Sequence, residues 1–263
     1  IMKNIYSNIF KVNNKNLSKV INYLKKKELV GVPTETVYGL AGNAYSSKAV
    51  KKIYFLKERP YKNPLIIHYF TLEQLKKDVE LNNNFFKLYK RFSPGPITFV
   101  LKKKKNSLLS KMATGNLNTV AVRFPKNKIL VKILKSLSFP LAIPSANKST
   151  HVSPVTAKDV FSEFGNSLKF ILNGGGCIIG LESTVVDLIS KAKILRPGLI
   201  TPTDISKALK IDEDNSLYWR KYSEIKLKLN FFEEAVSGFD KCLILGDDAL
   251  EIFIALTDVL SFL

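Results

Sequence analysis

Two stretches of this 263-residue chain decide how it is interpreted: GVPTETVYGL at residues 31–40 and KERPYKNPLIIH at residues 57–68. In the first stretch, an apolar strand pattern breaks at Pro33 into a turn rich in hydroxyl groups. The second predicts a helix end with two cations, then an Asn-Pro turn, then a strand ending in His68. Polar side chains held at the ends of rigid elements are typical of sites for small anionic ligands.

Outward from these stretches, the hydrophobic pattern predicts alternating strands and helices from residue 29 to about residue 210. Caps and turns mark the boundaries, such as Ser46 and Thr71 before helices and SPGP at 93–96 before a strand. Crossover helices mixed with directly linked strands indicate a mixed α/β sheet. The predicted strands are 29–32, 65–69, 97–101, 119–123, 140–143, 170–172, 184–188 and 193–195, and the main predicted helices are 46–57, 85–92, 128–137 and 155–164.

The net charge of +19 is spread unevenly along the chain. Residues 1–205 hold 34 of the 41 Lys and Arg and 11 of the 22 Asp and Glu, whereas residues 206–263 hold 7 and 11. We interpret this shift as the end of one domain at residue 205, followed by a linker at 206–229 and a small α/β segment at 230–263. The basic first part favours polyanions such as nucleotides or RNA. Compositional drift toward lysine explains the excess equally well.

The pattern weakens beyond residue 210. It predicts irregular structure over 211–229, a strand at 242–245 and a helix at 247–260. No stretch reaches the roughly 18 uninterrupted apolar residues of a membrane helix, and the first residues lack an apolar signal core, so we expect a cytoplasmic protein without membrane contact. Two Cys and two His are too few for a disulfide framework or a four-ligand zinc site.

Arginine is rare in this lysine-rich chain, with 5 Arg against 36 Lys. Three of them, Arg59, Arg123 and Arg196, lie in segments that suggest chemistry on other grounds. The planar guanidinium grips a carboxylate or phosphate with two hydrogen bonds, which an ammonium cannot do. Their retention indicates positions where a positive charge alone does not suffice.

No Gly-x-x-x-x-Gly-Lys-Ser/Thr loop occurs, so nucleotide binding would depend on side chains and loop amides. Lys57 and Arg59 suit that role, but a solvated helix end whose cations complement the helix dipole is the alternative. His68 is either a ligand contact or a satisfied structural histidine. Glu35 and Glu182 lie in separate motifs without a spacing that links them, and we expect surface or turn roles for both.

Two further patterns, a run of glycines and a run of lysines, do not indicate a function by themselves. GGG at 174–176 does not open a helix as a dinucleotide fingerprint would, and we interpret it as a turn between strands. The lysines at 102–105 continue the strand 97–101 and form either a solvated hairpin tip or a patch that contacts RNA.

Six short segments follow one another across residues 15–205. They are PTETVYGL (33–40), KERPYKNPLIIH (57–68), SPGPIT (93–98), TVAVRFP (119–125), PSANKS (144–149) with Ser153-Pro154, and GLESTVVD (180–187) followed by Arg196-Pro197-Gly198. In this order they resemble the YrdC-like family of L-threonylcarbamoyladenylate synthases. Each segment would be weak alone, but six in the family's order are a strong signal.

The resemblance implies a mixed, twisted sheet around a deep basic cavity, with a small C-terminal α/β appendix. It implies the condensation of L-threonine, bicarbonate and ATP into threonylcarbamoyl-AMP and pyrophosphate, for modification of the tRNA adenosine next to the anticodon. Mg²⁺ would be held by the triphosphate rather than by protein side chains, and tRNA and a downstream threonylcarbamoyl transferase would be partners. The alternatives are an RNA-binding relative without synthase activity and a carbamoyl-handling domain that acts with partner maturases.

The resemblance also implies roles for individual residues. Lys57 and Arg59 would stabilise charge during catalysis, without a protein nucleophile. The implied threonine contacts are Thr36, His68, Arg123, Ile143 and Ser183. The implied ATP contacts are Arg59, Asn63, Thr119, Ser145, Asn147, Ser153, Arg196 and Tyr222. In longer family members, the linker around the position of Tyr222 closes over the nucleotide. Here the Pro-Gly of that linker is missing, and Lys221 and Glu224 replace a His and a Pro.

Overall fold

The computed structural model describes residues 6–209, 219–220, 223–224, 226–227 and 232–245. The strands are β1 Ile9–Lys11, β2 Val30–Val32, β3 Gly39–Asn43, β4 Ile66–His68, β5 Ile97–Lys102, β6 Thr119–Arg123, β7 Leu141–Ala142, β8 Ile171–Asn173, β9 Thr184–Asp187 and β10 Lys193–Arg196. The helices are α1 Asn14–Lys25, α2 Ser47–Lys57, α3 Leu72–Lys76, α4 Asn83–Phe92, α5 Lys128–Lys135, α6 Ala157–Phe164, α7 Pro202–Leu209 and a C-terminal helix Phe232–Ile244.

All ten strands form one sheet in the order β1-β8-β2-β3-β7-β4-β6-β5-β9-β10. The sheet contains parallel pairs, such as β4 with β6 and β5 with β9, and antiparallel pairs, such as β2 with β3 and β5 with β6. The prediction of a mixed α/β sheet is therefore confirmed. Within the described residues, no helix is long and apolar enough to cross a lipid bilayer.

Two buried apolar clusters lie on opposite faces of this sheet, because successive residues of a strand point to opposite sides. In β7, Leu141 packs with α1 and α5, whereas its neighbour Ala142 packs with the larger cluster on the α2 side. Leu40 and Ala41 of β3 divide in the same way. Helices therefore cover both faces of the sheet in its β2-β3-β8 half.

In the other half of the sheet, around β4, β6 and β5, the same alternation places polar side chains on one face. In β4 and β6, Ile67 and Val122 belong to the larger apolar cluster, so His68 and Arg123 point to the opposite face. The parallel register of these strands places His68 directly beside Arg123. Thr98 of the neighbouring strand β5 alternates onto that face as well. The sheet register thus gathers residues that are far apart in the sequence.

Two predictions for the C-terminal region are wrong. Residues 242–245 were expected to form a strand, but residues 242–244 are the last turn of the C-terminal helix. Cys242 packs with Phe239 and Trp219 in a small apolar cluster. Its contact with Phe239 is the i, i+3 contact of a helix, which a strand would not make. The expected irregular stretch 211–229 contains helical residues at all of its described positions. The predicted helix 247–260 and Tyr222 lie outside the described residues, and the domain boundaries stay predictions.

Gly39, the first residue of β3, allows this strand to approach the segment that follows β7. A Cβ at this position would lie 2.2 Å from Cγ2 of Ile143, a separation that non-bonded atoms do not tolerate. Leu40 donates its backbone N–H to the carbonyl of Pro144 (2.9 Å), so the two backbones cannot move apart without losing this contact.

We predict that Gly39→Ala lowers the free energy of unfolding by about 1–3 kcal/mol, because a methyl group would be forced into a filled core. Gly176→Ala is the matched control, since a Cβ there meets nothing within 4 Å. Urea unfolding of both variants measures the difference. Equal stability of the two variants would contradict the close approach.

Candidate functional site

The turn at residues 33–38 is organised by the side chain of Thr34. Its Oγ1 accepts hydrogen bonds from the backbone N–H groups of Thr36 (3.0 Å) and Val37 (3.2 Å). Such local bonds from a short hydroxyl side chain favour turns over regular structure. From the other side, segment 178–180 donates two backbone hydrogen bonds to the turn. The turn is therefore held on two sides.

Arg123 at the end of β6 is buried, with only 4% of its surface exposed. Its NH2 group donates to Oε1 of Glu35 at 2.6 Å, its NH1 group to Oγ1 of Thr36 at 3.1 Å, and its Nε to the carbonyl of Gly95 at 3.3 Å. The second carboxylate oxygen of Glu35 accepts the backbone N–H of Asn127 (3.1 Å). A guanidinium has five N–H donors, so two remain for a ligand.

Arg123 and Glu35 each stabilise the charged form of the other. Burial raises the pKa of the Glu35 carboxyl, but the attraction and hydrogen bond of Arg123 outweigh burial and hold the pKa below its ordinary value of 4.5. Glu35 is therefore ionised at neutral pH. The predicted surface role for Glu35 is wrong: the residue lies in the turn at 33–38, but its side chain is buried in an ion pair with Arg123.

His68 ends β4 with 1% of its surface exposed. Neither ring nitrogen has a hydrogen-bond partner among the described residues. Burial, followed by the nearby positive charge of Arg123, lowers the pKa of His68 well below 6.5. The imidazole is therefore neutral at physiological pH and offers one donor and one acceptor. An unpartnered buried polar group costs about 1–3 kcal/mol, which favours a ligand contact over a purely structural role.

Lys57, the last residue of α2, is also buried. Its ammonium donates to the backbone carbonyls of Ser145 (2.6 Å) and Asn147. Burial, and then repulsion from Arg59, lower the pKa of Lys57 to about 8. The side chain thus ties the helix end to the loop of residues 144–149. Its predicted stabilisation of phosphate charge stays a prediction.

Arg59 lies just beyond α2 and is held by the Asn-Pro turn that follows it. Its Nε donates to the carbonyl of Asn63 (3.1 Å) and its NH2 group to the carbonyl of Pro64 (3.0 Å). Burial lowers the pKa of Arg59, and the positive charge of Arg196 contributes to the lowering. Both cations border the same cavity. The fork of the guanidinium uses one edge for the turn and leaves other donors for a ligand.

Arg196 at the end of β10 is paired with Glu182. Its NH1 group contacts Oε2 of Glu182, while its Nε and NH2 donate to the backbone carbonyl and the hydroxyl of Ser183, both at 3.0 Å. Ser183 also shares a 2.7 Å hydrogen bond with the hydroxyl of Thr98. Glu182 accepts a further hydrogen bond from Ser153 at 3.0 Å. The expected surface or turn role for Glu182 is therefore incomplete, since its carboxylate belongs to the site.

These groups surround one cavity. Its lining includes every residue implied to contact threonine, and three of those implied to contact ATP. The sequence-predicted residues in the lining are Thr36, Arg59, His68, Arg123, Ile143, Ser145, Ser183 and Arg196. The other lining residues are Thr34, Val37, Tyr38, Gly39, Pro64, Ile66, Pro144 and Glu182.

Five predicted site residues lie outside the lining, namely Lys57, Asn63, Thr119, Asn147 and Ser153. Three of them form hydrogen bonds to residues that line the cavity. Lys57 holds the carbonyl of Ser145, Ser153 holds Glu182, and Asn63 accepts a hydrogen bond from Arg59. The side-chain nitrogen of Asn147 donates to the carbonyls of Lys148 (2.8 Å) and His151 (2.7 Å), which shapes the loop. Thr119 pairs with Lys102 at the far end of β6.

The lysines at 102–105 are largely occupied locally. Lys102 forms an exposed ion pair with Glu80 (3.1 Å), and the ammonium of Lys103 donates to Thr114 (3.2 Å). Lys104 donates to the carbonyl of Lys76 (2.7 Å). A solvated tip fits these contacts better than a free patch.

Sequence reasoning missed Glu35 and Glu182 as members of the site. The available signal was physical, because a buried arginine requires a nearby anion. Each acid lies in a motif that was already associated with the site, next to Thr36 or Ser183. What the sequence did not provide was the distance of 2.6 Å across 88 residues between Arg123 and Glu35.

Comparison with known proteins agrees with this fold. The Sua5_yciO_yrdC family model, described as "Telomere recombination", matches residues 22–198. The chain belongs to this family. The family assignment made from the sequence motifs is therefore confirmed.

Two curated relatives and one solved structure illustrate the similarity. The threonylcarbamoyl-AMP synthase of Pyrococcus abyssi is 42% identical over 189 residues, which cover 71% of this chain and 55% of the relative. That of Schizosaccharomyces pombe is 35% identical over 234 residues, covering 80% and 57%. The structure of P. abyssi Sua5 complexed with L-threonine shows 40% identity and a TM-score of 0.74, covering 76% of this chain and 60% of that one. The chain thus spans little more than half the length of these curated relatives.

We predict that Glu35→Ala lowers the free energy of unfolding by about 3–5 kcal/mol, because it leaves the buried Arg123 charge without a partner. Since the folded-state pKa of Glu35 is lowered, its contribution is fully present above pH 4.5 and is lost as pH falls through the lower folded value. The difference between variant and parent in urea unfolding should therefore shrink in acid.

Glu80→Ala serves as the matched control, because Glu80 forms an exposed pair with Lys102. We expect it to change stability by less than about 1 kcal/mol. If Glu35→Ala were as mild as this control, the central place of the buried pair would be wrong.

Proposed function

We propose that this protein is an L-threonylcarbamoyladenylate synthase. It condenses L-threonine, bicarbonate and ATP into threonylcarbamoyl-AMP and pyrophosphate, and the product supplies the threonylcarbamoyl group for the tRNA adenosine next to the anticodon. The observation that carries the proposal is the common cavity. It joins Thr36, His68 and Arg123 to the cations Arg59 and Arg196, and these five residues span positions 36–196 of the sequence.

The threonine end of the cavity is built from the Arg123 group. The two N–H donors of Arg123 that no described residue engages suit the carboxylate of an amino acid. The neutral His68 supplies a donor and an acceptor for the amine or hydroxyl of threonine, and Ile143 supplies an apolar wall for its methyl group. Glu35 keeps the guanidinium charged and oriented.

The ATP end is built from Arg59, Arg196 and Ser145. In the proposed reaction, the threonine amine is first carboxylated by bicarbonate with loss of water. The new carboxylate then attacks the α-phosphorus of ATP, and pyrophosphate leaves. Positive charge along the triphosphate stabilises the leaving group, and holding the reactants in line replaces the need for a protein nucleophile.

Mg²⁺ fits this scheme as a companion of the triphosphate. Among the described residues, no group of three or more His, Cys, Asp or Glu could hold a metal ion. Oxygen atoms of phosphate groups are the ligands that Mg²⁺ prefers in nucleotide sites, and bound there it neutralises phosphate charge. Transfer RNA and a downstream threonylcarbamoyl transferase complete the proposed partners.

Pyrophosphate release tests the proposed function. We expect release from ATP and Mg²⁺ only when threonine and bicarbonate are both present. The control reactions omit threonine and bicarbonate in turn. Release that does not depend on threonine would reject the synthase assignment, and tRNA binding without any release would favour the RNA-binding alternative.

Arg59→Lys tests the need for a guanidinium at the ATP end. Lysine keeps the charge but cannot bind the Asn63 and Pro64 carbonyls while also facing the cavity. We expect kcat/KM to fall at least about tenfold, equivalent to about 1.4 kcal/mol. Arg91→Lys is the matched control, since Arg91 is exposed on α4 and lies outside the cavity lining. Similar kinetics for both variants would mean that a positive charge alone suffices at residue 59.

A further inference from the structure

Glu182 stands in the positive field of the whole cavity. Electrostatic attraction links its carboxylate to Lys57, Arg59, Arg123 and Arg196. Glu35, the other acid of the site, is engaged with Arg123 and the backbone of Asn127. Glu182 is therefore the anion that the ATP-facing cations share.

The contacts of Glu182 are made with groups that the triphosphate is expected to use. Its Oε2 pairs with Arg196 and its Oε1 accepts a hydrogen bond from Ser153. Burial raises the pKa of the carboxyl, but Arg196 and the hydroxyls of Ser153 and Ser145 outweigh burial and lower it. All three of these donors belong to the set implied to bind ATP. The carboxylate is thus ionised and occupies phosphate donors.

A triphosphate cannot share these donors with an unmoved carboxylate. Two negative charges about 4 Å apart repel by about 4 kcal/mol at the effective dielectric of a protein surface. About a third of the side-chain surface of Glu182, 32%, is exposed, so the side chain is not packed on all sides and can turn away from its partners. The backbone around it is fixed, since a Cβ on Gly198 would lie 2.6 Å from the Glu182 carbonyl. The side chain of Glu182, rather than its backbone, is therefore the part that can move when a triphosphate binds.

We propose that Glu182 is an internal counter-ion that occupies the phosphate donors until an oligophosphate displaces it. The proposal rests on the proposed function for the identity of the nucleotide, but its physical content concerns anion binding alone. A ligand with several phosphates makes enough new contacts to offset the lost Arg196 pair, whereas a single phosphate makes too few. Glu182 thereby favours ligands with several phosphate groups over ligands with one.

Calorimetric titration with inorganic pyrophosphate, and separately with ATP, tests this role. Because the variant no longer has to release an ion pair, we expect Glu182→Gln to bind both probes about three- to tenfold more tightly than the parent. Glu80→Gln is the matched control. It removes one negative charge from an exposed pair with Lys102, and we expect its affinity to stay within about twofold of the parent.

Three outcomes would overturn the proposal. One is unchanged or weaker pyrophosphate binding by Glu182→Gln, which would mean that the carboxylate supports the donors while the ligand is bound. Another is an equal gain in Glu80→Gln, which would assign the effect to net charge. The third is the absence of pyrophosphate binding by both the parent and Glu182→Gln.

A second variant covers the case in which Glu182→Gln does not fold. Glu182→Asp keeps the charge but is one methylene too short to span the same contacts, so it should also bind pyrophosphate more tightly than the parent. Failure of that gain would equally overturn the proposal. Since these titrations need neither threonine nor turnover, a gain in affinity without threonine-dependent pyrophosphate release would retain the counter-ion role and reject the synthase assignment.

Discussion

The buried ion pair between Arg123 and Glu35 is the interaction on which the site depends. A guanidinium with 4% of its surface exposed must have an anion beside it, since an isolated buried charge costs several kcal/mol. The pair joins β6 to the turn at residues 33–38, and so connects the sheet to its most polar loop. Burial lowers the pKa of His68, and the same positive charge adds to this lowering. One contact therefore positions a cation, anchors a turn to the sheet and helps to keep an imidazole neutral.

Charge compensation also explains how one cavity can gather several cations. Burial disfavours the charge of Arg59, and repulsion from Arg196 adds to this cost. Two acids offset this, but in different ways. Glu35 is buried and structural, whereas Glu182 is partly exposed and competes for the donors that a phosphate would use. The fold thus combines one permanent counter-ion with one that can be displaced.

Much of the site could be predicted from residue chemistry and motif order. The scarcity of arginine singled out Arg59, Arg123 and Arg196, and all three line the cavity. Lys57 was harder to interpret, because its pattern of a helix-end cation does not reveal that two carbonyls already hold its ammonium. The two glutamates were missed for a related reason. Their importance lies in partners that are distant in the sequence, and no local pattern encodes such a distance.

By itself, the sequence determined the mixed α/β class, most of the strands between residues 29 and 196, and the residues that carry the chemistry, since periodicity, caps and motif order are local properties. Tertiary structure alone decided the rest. Strand β3 was not predicted, because GLAGN reads as a loop and becomes a strand only by pairing with β2 and β7. Residues 242–244 have a β-like composition but are helical, since packing of Cys242 against Phe239 outweighs weak local propensity. The parallel register that sets His68 beside Arg123 arises from strand pairing across 55 residues, which local sequence does not specify.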